Sequence, residues 1–107
     1  MSERRGPSPQ LACVPTAIGA DLRPEHFARI KRLFGQSAQD RIPVADGYEF
    51  TFDPAEFSEL ARFVSLERRC CPFLFFELVV PAGDGRIRSR IYGPPGSRDL
   101  IEAEILP

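Results

Sequence analysis

Two apolar-rich runs, Phe73–Val80 and Arg86–Tyr92, flank Ala82-Gly83-Asp84-Gly85. Run, glycine-bearing turn and second run predict an antiparallel hairpin, the tightest constraint on how this chain folds. Pairing Val80 with Ile87, Leu78 with Ser89 and Phe76 with Ile91 gathers the apolar residues on one face. The other face then pairs Glu77 with Arg90, Val79 with Arg88 and Phe75 with Tyr92.

The segments before the hairpin supply what must cover it. Asp21 as cap and Pro24 in the first turn announce a helix, with Phe27, Ile30, Leu33 and Phe34 on one face and Gly35 as its stop. Gln36–Asp46 is polar, contains Pro43 and reads as a loop. Gly47 opens Tyr48-Glu49-Phe50-Thr51-Phe52, an alternation that fits a half-buried strand. Asp53-Pro54-Ala55-Glu56 starts a second helix, whose stripe is Phe57, Leu60, Ala61 and Val64, widened by Phe63 and Leu66. That helix ends near Cys70, because Pro72 disfavours helical geometry at Cys71. Gly93-Pro94-Pro95-Gly96 breaks the chain, and Ser97 caps a short last helix carrying Leu100, Ile101 and Ile105. The expected architecture is α+β: a small antiparallel sheet with two to three helices packed on one face. Residues 1–10 read as a disordered tail and residues 11–107 as a single domain.

Composition narrows the function classes. At 107 residues and 43% hydrophobic the chain can build one core, and disorder is excluded. Fourteen Lys+Arg against fifteen Asp+Glu leave a net charge of −1, which argues against a dedicated nucleic-acid or membrane-surface binder. No apolar run approaches the ~20 residues of a membrane span, and the start has no apolar signal core. A cytoplasmic location follows as an expectation, and in a reducing compartment the three cysteines are expected as thiols.

Cys70 and Cys71 are adjacent at the handover from helix to strand. Neighbouring Cα atoms lie ~3.8 Å apart, whereas an unstrained disulfide needs ~4.4–6.8 Å, so the pair is not expected to bridge itself. Only irregular backbone before Pro72 lets both sulfurs converge, since regular helix or strand would point them apart. Arg68 and Arg69 favour thiolate there, while the helix C-terminus disfavours it. Two thiolates, with Cys13 as a third, make a ligand set for a soft ion such as copper(I), mercury or arsenite. Structural zinc wants four ligands at wider spacing, which three cysteines and one histidine do not provide. A Cys-Pro dipeptide also serves as a haem thiolate elsewhere, but two residues are too short a pattern to carry that reading. The competing reading is that the cysteines are core, free Cys being among the most buried residue types.

Three other features carry weaker signals. His26 sits on the flank of the first helix and reads as a half-buried, satisfied histidine. Glu67, one turn before the cysteines, reads as a solvated charge pairing with Arg68 or Arg69, or as a proton donor beside thiolates. Arg86, Arg88 and Arg90 share one face of the last strand, but the aromatics Phe73, Phe75 and Tyr92 are segregated at its far end. A single-stranded nucleic-acid platform interleaves the two, so the outer sheet face fits self-association better.

The stretch Leu66-Glu67-Arg68-Arg69-Cys70-Cys71-Pro72-Phe73-Leu74, followed by Phe76-Glu77-Leu78, resembles small bacterial proteins with a Glu-Arg-x-Cys-Cys-Pro-Phe-Leu signature. Ala12-Cys13, Gly47-Tyr48-Glu49-Phe50 and Tyr92-Gly93-Pro94 extend the similarity over Leu11 to Ile101. Such proteins are encoded near mercury- and other metal-resistance genes, so the resemblance implies a thiol-based metal or metalloid context without a mechanism. The chain departs from that pattern after Cys13, where Val14-Pro15-Thr16 and a longer Ile18–Arg23 lead-in intervene. Three readings follow. The first is sequestration of a soft metal or metalloid ion by Cys13, Cys70 and Cys71. The second is a non-catalytic homodimer or docking module with structural cysteines, associating through the outer sheet face. The third is an organometal-cleaving enzyme using Cys70, Cys71 and Glu67.

Overall fold

The computed structural model describes residues 11–106; the expected tail, residues 1–10, lies outside them. Helix α1 spans Arg23–Arg32 and continues into a π-helical turn, Leu33–Ser37. Strands β1 (Asp40–Val44) and β2 (Gly47–Phe52) follow, then helix α2 (Phe57–Cys70), strands β3 (Phe75–Val79) and β4 (Ile87–Tyr92), and helix α3 (Ser97–Glu104). The strands form one four-stranded antiparallel sheet in the order β1-β2-β4-β3. Sheet and helices together make the expected α+β fold. No helix among the described residues is long and apolar enough to cross a membrane.

The hairpin forms in the expected register over five pairs: Leu78 faces Ser89, Phe76 faces Ile91, Glu77 faces Arg90, Val79 faces Arg88 and Phe75 faces Tyr92. The sixth, Val80 with Ile87, is corrected: β3 ends at Val79 and Val80 is exposed. The alternation in β2 holds too, with Phe50 and Phe52 buried. They meet Ile87 and Ile91 of β4, and Leu60, Phe63 and Ile101 of the covering helices, in one core. Phe34 stands edge-on to Phe50 and Phe52, at centroid distances of 5.0 and 5.6 Å. Each such side chain removed from water contributes about 1.5–3 kcal/mol.

Several local expectations are corrected. The segment read as a loop contains β1, an edge strand whose residues are mostly exposed. It lacks the apolar alternation of a half-buried strand, and an edge tolerates Pro43 because its missing N–H removes no ladder bond there. Gly47 lies where a Cβ would come within 1.9 Å of the Ile91 carbonyl oxygen, so β2 can pass β4 only with glycine at that point. Asp21 does not cap α1: Leu22 occupies that position with no side-chain bond. Gly35 does not stop the helix but lies within the π turn. Asp53 does cap, Oδ1 accepting from the Ala55 N–H at 2.9 Å, through a 3-10 turn that precedes α2. Ser97 is the first residue of α3 and not its cap; Gly96, at φ 98°, takes that place.

The buried stripes are rotated from those expected. On α2 the inward residues are Leu60, Phe63, Leu66, Glu67 and Cys70, while Phe57 and Ala61 are exposed and Val64 is half-buried. On α1 they are His26, Arg29 and Ile30, with Phe27 exposed. Polar residues therefore occupy the seam between the two helices. Arg29 Nε donates to Glu59 Oε1 at 3.0 Å, and Arg32 donates to Glu56 and Glu59. The hydrogen bond from Arg29 holds the Glu59 carboxyl below its ordinary value of 4.5.

Candidate functional site

Cys70 is the last residue of α2, and Cys71 leaves the helix at φ −118°, ψ 79°, as Pro72 demands. The Cys71 N–H still donates to the Glu67 carbonyl at 2.8 Å, while its own carbonyl accepts from Leu74 at 3.1 Å. This half-turn swings the two neighbouring side chains toward each other. The segment carrying Cys13 docks on the same spot, its Val14 N–H donating to the Cys70 carbonyl at 2.6 Å. The three sulfurs lie within 4.8 Å of one another.

Cys13 and Cys71 are joined by a disulfide, their Cα atoms 4.4 Å apart and 58 positions apart in sequence. The expectation of three thiols is thus corrected. The adjacent pair does not bridge itself, as its short Cα separation requires, but Cys13 arrives from a segment distant in sequence at a bridgeable distance. Cys70 keeps its thiol and is buried, 3% exposed. Burial, followed by the nearby Glu67 charge, pushes that thiol up to about 11, and the Val14 N–H only partly opposes the rise. Arg68 and Arg69 are exposed and do not offset it. Neither of the two opposed influences read from sequence decides the outcome; burial and Glu67 do.

Behind the sulfurs lies a polar pair. Glu67 is 2% exposed and His26 is fully buried, with Nε2 2.7 Å from Glu67 Oε1. The other Glu67 oxygen is 3.4 Å from Cys71 Sγ. In the disulfide that sulfur has no proton to give, so the contact is van der Waals; a reduced Cys71 would donate across it. The His26 ring stacks on Phe63, with centroids 6.1 Å apart, and its Nδ1 has no hydrogen-bond partner among the described residues. The solvated Glu67 and the half-buried His26 are therefore corrected: each is a core residue satisfied mainly by the other. The signal was present in the spacing, since Glu67 lies four residues after Phe63 and three before Cys70. Nothing local names His26 as its partner, 41 positions away.

The outer sheet face keeps Phe75, 59% exposed, stacked on Tyr92 at 5.4 Å. Tyr92 Oη donates to Glu77 at 2.8 Å. Phe73, read as outward, is half-buried against the core. Arg90 pairs with Glu49 at 3.0 Å, so the arginine stripe is partly neutralised.

No protein-family model, curated protein or solved structure matches this chain. Its class is defined by fold and site alone. It is an α+β protein with a cluster of three cysteines that could hold a metal ion, two of them bridged, set against a buried glutamate–histidine pair.

Proposed function

We propose that the reduced chain sequesters a soft metal or metalloid ion through Cys13, Cys70 and Cys71. The observation that carries the reading is the convergence of the three sulfurs within 4.8 Å. Three thiolates around one ion, with metal–sulfur bonds near ~2.3 Å, stand about 4 Å apart; the bonded Cys13 and Cys71 sulfurs move apart to that spacing once the bond opens, with Cys70 already within 4.8 Å of both. The disulfide withholds two of the three ligands, and reduction releases them. Sulfur-only coordination selects copper(I), mercury or arsenite over hard cations, which agrees with the metal-resistance context that the Glu67–Leu74 resemblance implies. Binding requires thiolates, so uptake releases protons and tightens as pH rises.

The test is anaerobic titration of the reduced protein with copper(I), arsenite, mercury(II) and zinc. A soft ion should bind with proton release, zinc should bind far more weakly, and the oxidised protein should take up little of either. Cys70→Ser or Cys71→Ser should weaken soft-ion binding at least tenfold. Unchanged affinity in both variants would remove the reading.

The carbon–metal cleavage reading gains one observation, the Glu67 carboxyl oxygen 3.4 Å from Cys71 Sγ. In that reaction the sulfurs take the metal and a proton from Glu67 goes to carbon. Incubation with an arylmercurial and excess thiol separates it from plain binding. Arene release above the thiol-only control, lost in Glu67→Gln, supports cleavage; no excess release leaves sequestration alone. The docking reading draws on the burial of Cys70 and Cys71 and on the exposed Phe75–Tyr92 stack, on the opposite side of the sheet from the core. That patch does not compete with the cysteine cluster.

A further inference from the structure

We infer that the Cys13–Cys71 bond is opened by thiol–disulfide exchange of fixed polarity, an external small thiol attacking Cys13 and expelling Cys71. This goes beyond ion binding and stands without it. Displacement at a disulfide needs the incoming sulfur in line with the bond, on the side away from the leaving sulfur. The two ends of this bond differ in access. Cys71 is fully buried beneath the end of α2, with Glu67 against its sulfur. Cys13 is only half-buried, in an irregular segment between exposed Ala12 and exposed Val14. Cys70 is buried beside the bond and is not open to a solution reagent.

The exchange proceeds in two displacements. A thiolate forms a bond to Cys13 Sγ while the Cys13–Cys71 bond breaks, and Cys71 leaves with the electron pair and is protonated. A second thiolate attacks the reagent sulfur of the mixed disulfide, releasing the oxidised reagent disulfide and the Cys13 thiolate, which takes a proton from water. Two thiols are oxidised, and one disulfide is reduced to two thiols. Once protonated, Cys71 Sγ–H faces the Glu67 oxygen already 3.4 Å away and donates to it, which satisfies the buried thiol after the bond has broken.

The polarity is tested on the oxidised full chain with glutathione. The reaction is quenched with acid at short times, alkylated with N-ethylmaleimide and mapped by peptide mass. The expected result is glutathione on Cys13 and maleimide on Cys71. A second measurement uses Cys70→Ser, whose reduction rate should stay within about twofold of the parent. Glutathione on Cys71, reduction without any Cys13 adduct, reduction only in denaturant, or a tenfold slower Cys70→Ser would each overturn the inference. None of these readouts involves a metal, so failure of the ion-binding proposal leaves the result interpretable.

Discussion

Reducing the Cys13–Cys71 disulfide should lower the unfolding free energy by about 4 kcal/mol. The bond ties positions 58 apart, and closing a loop of that size removes much of the freedom of the unfolded chain. Urea unfolding with and without a dithiol reductant measures it directly, and the midpoint should fall by about 2–4 M. Cys13→Ser should show most of the same loss and no further response to reductant. A shift below about 1 kcal/mol would mean that the cross-link constrains little. The same experiment bears on the proposed function, because an ion bound only by the folded, reduced chain restores stability as its concentration exceeds Kd. Under the proposed function the cluster would tie Cys13 to the end of α2 through the bond when oxidised and through the ion when reduced.

The second large effect belongs to the buried polar pair. His26→Ala should cost about 3–5 kcal/mol, because it strands the Glu67 carboxyl in the core and opens a void beside Phe63. Glu67→Gln keeps an acceptor for His26 and should cost only about 1–2 kcal/mol. Replacing both at once, as His26→Phe with Glu67→Leu, should recover most of the loss, since neither polar group then remains to be satisfied. Denaturant melts of the oxidised protein provide the comparison. A His26→Ala cost below about 1 kcal/mol would contradict the pairing, given how far both side chains are from solvent.

What the sequence made legible, and what it hid, follows from how local each signal is. The hairpin register came through for five of its six expected pairs because turn chemistry and alternation are written within one short stretch. Pro72 announced the end of α2 at Cys70 because its steric effect reaches only the preceding residue. Strand β1 was missed because an edge strand needs no apolar face, so Asp40–Val44 looks like any polar loop. The helix stripes were misplaced for the opposite reason. Counting only apolar residues put Phe27 and Phe57 inward, whereas the structure buries His26, Arg29 and Glu67, each supplied with a partner. A polar residue can belong to the core only when its partner is in place, and those partners are distant in sequence. The candidate site shows the same limit. Cys70 and Cys71 were conspicuous, but whether Cys13 joined them depended on how its segment docks, which the Val14 bond to the Cys70 carbonyl decides.

The most direct test of the three-sulfur site counts its ligands. X-ray absorption on the reduced protein loaded with copper(I) should find three sulfur neighbours and no nitrogen or oxygen at bonding distance, falling to two sulfurs in Cys70→Ser. A parent spectrum with two sulfurs or fewer, or a sulfur count that Cys70→Ser leaves unchanged, would contradict the proposal that all three cysteines hold the ion.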